Sequence, residues 1–322
     1  MKLKLVVGLL VLVALCQCMP PEQEAEYVYM FSYFKNNGED GLHLAYSTDG
    51  YKWEALNDDK SFLKPELSND KLMRDPCIIQ GPDGRFHMVF TISWNERSIG
   101  YTSSEDLINW TEQKLIPVMT HEENARNCWA PEVTYDEKGG FYMIYWATTI
   151  TGRDTVASQL SEDNYNHRMF YVTTKDFNEF SETKVLYDKQ FNVIDATIIP
   201  DNGRYVMFLK DETLKPAQKN IKMAIGENLT GPYSEASQSI SGNDWGEGPT
   251  VLRMGDEWLV YFDKYGIGKF GAVKSNDLKD WTDISDQISI PEGLRHGTIF
   301  KIKKEVLENI KKEKPASDNQ DR

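Results

Sequence analysis

Five stretches of this chain repeat one pattern at intervals of roughly 50 residues, and that periodicity leaves few folds open. Each stretch opens with a short apolar strand: DPCII from Asp75, APEVT from Ala130, DATII from Asp195, EGPTV from Glu247 and HGTIF from His296. A tight polar turn follows, such as GPDG at 81–84 or PDNG at 200–203, and then an aromatic-rich second strand such as FYMIYWATT. The closing parts are the most alike, among them LAYSTDGYKWEAL, GYTSSEDLINWTEQ and AVKSNDLKDWTDI. Alternating apolar and polar residues punctuated by Gly, Asn and Asp describe four-stranded antiparallel units. Five such units predict an all-β, five-bladed β-propeller.

The fifth blade is predicted to be split. His296 to Ile302 supplies its inner strand, and 27–34 with 42–56 supply the rest from the other end of the chain, which closes the ring and leaves no exposed seam. The propeller domain is therefore expected over 27–302. If the inner strands start on one face, the links between second and third strands return to it, at 35–40, 94–97, 148–167, 210–219 and 264–268. The segment 303–322 reads as a charged, solvated helical tail.

Residues 1–18 pair Lys2 and Lys4 with an apolar run and read as an export signal, too short to span a bilayer. Cys16 or Cys18 offers a lipidation site, and 19–26, rich in Pro and Glu, reads as a flexible tether. The expected location is the periplasm or the cell surface as a lipoprotein, with plain secretion as the alternative; the membrane would be met only through that anchor. The formal charge of −14 becomes about −16 once Lys2 and Lys4 leave with the signal. So acidic a surface disfavours nucleic acid and polyanions and is compatible with neutral glycans. Cys77 and Cys128 fall on the inner strands of neighbouring units and are expected as buried free thiols, a disulfide being the alternative.

Asp75, Asp195 and Glu247 open inner strands of three different blades. Taken singly, Asp75 before Pro reads as a turn residue and Asp195 as a strand cap. Taken together, they converge on one axis, where mutual repulsion is expected to raise their pKa values. Convergent carboxyls are the apparatus of glycosidic bond cleavage: one protonated to serve the leaving oxygen, one ionised to activate water. Sugar rings need flat apolar platforms, for which Trp129, Trp94 and Trp245 are the candidates. Lys210 and Arg295 are candidate donors to substrate hydroxyls. Trp53, Trp110 and Trp281 recur at one place in the fourth strands, so packing between blades explains them.

With RDPCII around Asp75, WAPEV around Trp129, IDATII around Asp195, EGPTVL around Glu247 and HGTIF at the end, the chain resembles glycoside hydrolase family 43. The resemblance implies Asp75 as general base, Asp195 as the residue that modulates and positions the acid, and Glu247 as general acid. It also implies that His296 lies near an axial ion, often calcium held through water; no cofactor is implied for the chemistry itself. Arg74 before Asp75 and the lack of a following β-sandwich depart from other members.

These readings predict a monomeric, exo-acting, inverting enzyme acting on terminal sugars of neutral plant-type oligosaccharides or polysaccharides. The expected order is α-L-arabinofuranoside, then β-xyloside, then β-galactoside. Two alternatives stand beside it: a retaining fructosidase-like hydrolase, and a glycan-binding propeller without catalysis.

Overall fold

A computed structural model of the protein describes residues 26–153 and 155–313. The expected signal 1–18 and nearly all of the expected tether lie outside them. The chain opens with β1 (Tyr27–Tyr33), β2 (His43–Ser47) and β3 (Glu54–Ala55). The first complete blade follows as β4 (Arg74–Gln80), β5 (Phe86–Thr91), β6 (Ile99–Ser104) and β7 (Lys114–Ile116). The second is β8 (Trp129–Asp136), β9 (Phe141–Thr149), β10 (His167–Thr174) and β11 (Lys184–Tyr187), with a short helix α1 (Thr155–Gln159) in its longest loop. The third is β12 (Val193–Asp201), β13 (Arg204–Asp211) and β14 (Asn220–Gly226). The fourth is β15 (Glu247–Met254), β16 (Glu257–Lys264), β17 (Lys269–Ser275) and β18 (Thr282–Asp283). Last, β19 (Gly297–Lys303) pairs antiparallel with β1, so the sheet order β19-β1-β2-β3 joins the first and last described strands in one blade. The five inner strands touch in a closed ring, β4 to β8 to β12 to β15 to β19 and back to β4.

Three of the four complete blades turn into their fourth strand with one device. A Ser or Thr hydroxyl caps the backbone N–H three residues on, and an Asp two residues later caps the rest of the turn. Ser104 with Asp106, Thr174 with Asp176 and Ser275 with Asp277 do this, as do Ser47 with Asp49 in the split blade. The third blade has Gly226 where the hydroxyl belongs, and Pro232, without an N–H, where the fourth strand would begin. Ser234, Ser237 and Ile240 still donate backbone hydrogen bonds to β14, but no regular fourth strand forms. The expectation of four strands in every blade is corrected to that extent.

Aromatic and aliphatic side chains fill the spaces between adjacent blades, where Trp146, Tyr145, Tyr261 and Phe208 are wholly buried. Trp53 packs edge-on to Tyr261 of the fourth blade, and Trp281 to Phe208 of the third, as inter-blade packing requires. The tail departs from expectation. Its first residues form α2 (Lys304–Lys312), which buries Leu307 and Ile310 against Val28 and Ile302 rather than standing in solvent.

Candidate active site

Four inner strands begin with the same irregularity. Pairing slips between Arg74 and Cys77, Trp129 and Glu132, Ile194 and Thr197, and Glu247 and Thr250, so each strand carries a bulge at its mouth. The bulge residue has a positive φ every time: Asp75 (51°), Ala130 (45°), Asp195 (53°) and Gly248 (56°). Asp75 and Asp195 are therefore equivalent, and His296 occupies the corresponding place ahead of β19. Glu247 is not equivalent. It pairs with Asp263 one step earlier, in line with Arg74, Trp129 and Ile194, which corrects the reading of three carboxylates at one position. That step puts Glu247 nearer the mouth, and its side chain is 21% exposed against 11% for Asp75.

The bulges lock neighbouring blades together through the same side chains. Thr91 donates its hydroxyl to Asp75 Oδ2 at 2.8 Å and accepts the backbone N–H of Ala130 at 2.8 Å. Asp195 Oδ2 accepts the backbone N–H of Gly248 at 3.0 Å. His296 Nδ1 lies 3.3 Å from Asp75 Oδ1. Gly248 is obligatory here: besides its positive φ, a Cβ would run into the His296 ring.

Electrostatics separates the three carboxyls, and only one of them rises as expected. Burial pushes Asp195 up to about 6, with the charges of Glu247 and Asp75 adding to the effect and those of His296 and Lys210 opposing it. Burial acts on Asp75 too, but the hydrogen bond and charge of His296, together with Arg74 and Thr91, more than offset it and hold Asp75 below the usual range. Glu247 is likewise lowered against burial, by Lys210 first and then Arg295 and His296. Burial opposes a charge on His296, yet Asp75 and Asp195 overcome it and raise the ring to about 9. The unliganded pit thus holds an ionised Asp75, an ionised Glu247, an imidazolium, and Asp195 as the carboxyl that most readily keeps a proton.

Lys210 and Arg295 belong to this cluster, with partners of their own. Lys210 is 2% exposed and sits 3.1 Å from Glu247 Oε2 and 2.5 Å from Glu212 Oε2. Two of its three N–H groups are thereby turned toward carboxylates. Arg295 bridges Glu247 at 3.1 Å and Asp263 at 2.5 Å, and its side chain stays about a third exposed. Arg74 is held by Asn37 and stacks its guanidinium over Phe34 and Trp94, closing the rim between the first and last blades.

Trp129 and Trp94 line one cavity of about 310 Å³ with Tyr165, His167, Asn192 and Glu212 among its other walls. Trp94 stands edge-on to Trp129, whose indole N–H donates to the Trp94 carbonyl at 3.0 Å. Trp245 is not among those walls; it is exposed, beside Tyr265 and Lys219. A roomier cavity of about 480 Å³ lies away from the carboxylates, against the ends of β7 and the β10–β11 turn.

The sequence reading passed over Glu132, which lies on the axis below His296. It accepts the Tyr145 hydroxyl at 3.1 Å and the Thr298 hydroxyl at 3.2 Å, and burial pushes it up to about 7. The available signal was its place in APEV, two residues beyond the bulge position, where its counterparts Cys77, Thr197 and Thr250 are small. The His296 Nδ1 faces Asp75, and among the described residues no three His, Cys, Asp or Glu side chains are grouped to hold a metal directly. Cys77 and Cys128 are both buried and free.

Comparison with known proteins agrees in kind. A family-43-related profile described as "Probable glycosyl hydrolase domain" matches residues 25–308. An alpha-L-arabinofuranosidase of Bifidobacterium longum subsp. longum is 23% identical over 215 residues, which cover 59% of this chain; the match spans 20% of that protein's length. Among solved structures, a GH43 protein of the Bacteroides ovatus xyloglucan PUL superposes with a TM-score of 0.51 at 18% identity, over 70% of this chain and 42% of that one. The native Bacillus subtilis arabinanase gives 0.50 at 17% identity, over 68% and 76%. A GH43 β-1,3-galactosidase gives 0.51 at 15% identity, over 69% and 48%. At these identities the structures speak to the fold alone.

Proposed function

The chain belongs to the family-43-related glycosyl hydrolase domains, and from that footing we propose that it is an exo-acting, inverting glycoside hydrolase. Its substrates in this reading are terminal sugars of neutral plant-type glycans, α-L-arabinofuranosides first, β-xylosides and β-galactosides next. The observation that carries the reading is the gathering of Asp75, Asp195 and Glu247 into one pit with unequal affinities for protons.

Asp75, ionised and oriented by Thr91 and His296, is the base that takes a proton from water as its oxygen attacks the anomeric carbon. Glu247, nearest the mouth, is the acid that gives its proton to the leaving oxygen. It must acquire that proton against Lys210 and Arg295. Asp195 helps, because a negative charge on either carboxyl opposes ionisation of the other. Trp129 and Trp94 are the platform for the sugar, and Arg295 retains exposed guanidinium edge for a hydroxyl. The reading assigns no cofactor to the chemistry, and it keeps the exported, monomeric state expected from the sequence.

The test is turnover of aryl α-L-arabinofuranoside, β-xyloside and β-galactoside, with proton NMR of the first-formed anomer. Hydrolysis with inversion is expected. Net retention would give Asp75 the part of a nucleophile, and tight oligosaccharide binding without turnover on a broad panel would make the protein a binding propeller. Acylation lost in Cys18→Ser but kept in Cys16→Ser checks the anchor.

A further inference from the structure

Seven charged side chains alternate in sign across the mouth of the pit. Glu162 meets Lys219 at 3.3 Å, Lys219 meets Glu212, Glu212 meets Lys210 at 2.5 Å, and Lys210 meets Glu247 at 3.1 Å. Glu247 then meets Arg295 at 3.1 Å, and Arg295 meets Asp263 at 2.5 Å. Glu212 spends one oxygen on each lysine. We propose that Glu212 is a positioning residue for the Glu247 carboxyl, holding a share of Lys210 that would otherwise fall wholly on Glu247. The proposal rests on the hydrolase reading only for its consequence in catalysis.

Lys210 and Lys219 are 2% and 1% exposed, so each needs carboxylates close by to remain an ammonium ion. Lys210 has two, and they compete for it. An acid flanked by an undivided ammonium ion and a guanidinium would be too strong to keep a proton near neutral pH; a third carboxylate that draws on the ammonium ion relieves this. Glu247 faces Lys210 at the end of β13, Asp263 and Tyr265 on and after β16, Arg295 and His296 ahead of β19, and Asp195 in β12. Of these partners Lys210 is the only one that Glu212 touches, so Glu212 acts on Glu247 through a single side chain.

Two substitutions in the full chain give opposite signs. In Glu212→Gln, Lys210 turns to Glu247 alone, and the Glu247 titration midpoint falls by roughly half a pH unit or more. In Lys219→Met, Glu212 is released from its second lysine and draws harder on Lys210, so the midpoint rises. Carbon-13 NMR of the glutamate carboxyls, with the Glu247 resonance identified by its loss in Glu247→Gln, reads both; Glu212→Asp is expected to restore the wild-type value. Shifts of the same sign in both variants, or no shift in either, overturn the proposal. If Glu212→Gln does not fold, Lys219→Met decides alone, and anything but a rise counts against it. In an active enzyme the basic limb of the kcat/KM profile follows the same two signs. Titration shifts without any turnover would instead count against the hydrolase reading.

Discussion

Asp75 and Asp195 hold the same backbone place in two blades yet move away from the ordinary carboxyl value in opposite directions, because only Asp75 has an imidazolium in direct contact. For a general base this matters: Asp75→Asn should remove hydrolysis by at least about a hundredfold while leaving substrate binding intact, read as kcat falling with little change in KM. Glu132 carries the clearest pH consequence. Its folded-state pKa of about 7 lies above the ordinary glutamate value of 4.5, so the carboxyl favours folding below about 4.5, and that contribution is lost as pH rises through 7. The loss is on the order of 3 kcal/mol by pH 8. Glu132→Gln, uncharged throughout, should melt like wild type at pH 5 and several degrees higher at pH 8, by thermal scans at both values. Equal melting-temperature losses between pH 5 and 8 in the two proteins would show that Glu132 does not titrate there. Asp75, Asp195 and Glu247 were legible because acid residues opening the apolar inner strands of three different repeats have few structural uses in combination. Glu132 was not, since a glutamate inside APEV looks like the solvent side of an alternating strand until the ring closes over it.

The bulge at each inner-strand mouth explains why these sites sit where they do. A residue with positive φ swings its side chain out of the alternating ladder and into the pit, at a backbone cost of about 1–2 kcal/mol for anything but glycine. Asp75 and Asp195 carry that cost for a side chain that works there; Ala130 carries it for a methyl group. Ala130→Gly should therefore raise stability by about 0.5–1 kcal/mol in denaturant titration, with kcat/KM unchanged. Gly248→Ala should do the reverse. It adds backbone strain and drives a methyl into His296, and a loss of about 2–4 kcal/mol together with most activity is expected, since His296 orients Asp75. A Gly248→Ala protein with native stability would mean that the bulge relaxes freely. The one-step offset of Glu247 could not be read from composition at the strand mouths. It was visible only in the alignment of Pro76, Pro131 and Pro249, which places Gly248, and not Glu247, opposite Asp75. Four-strand blades were legible through the repeated Ser/Thr–Asp turn, and the exception in the third blade coincides with the loss of that hydroxyl at Gly226.

Closure of the ring depends on β19 and β1, which come from opposite ends of the chain and pair over seven residues from Tyr27 with Lys303 to Tyr33 with Gly297. The periodicity announced this split blade, because HGTIF lacked partners of its own and the first strands lacked an inner strand. It did not announce α2. Charged residues dominate that helix, and its two buried positions, Leu307 and Ile310, are too few to distinguish it from a solvated tail until Val28 and Ile302 are seen beneath them. β19 begins beside His296 at the pit and runs seven residues to Lys303, so α2 caps the opposite face, where Lys304 donates its backbone N–H to the Glu26 carbonyl. This geometry separates stability from chemistry. Leu307→Ala should lower unfolding free energy by about 2–4 kcal/mol through a cavity beneath the closure, and Ile310→Ala by a similar amount. Neither should alter kcat/KM below the unfolding transition, because the helix touches no residue of the pit. Denaturant titration alongside aryl glycoside hydrolysis at 25 °C checks both halves. If either variant lost activity while folded, the closing blade would be coupled to the carboxylates across the full length of β19, and His296, standing immediately before that strand, would be the residue through which the coupling runs.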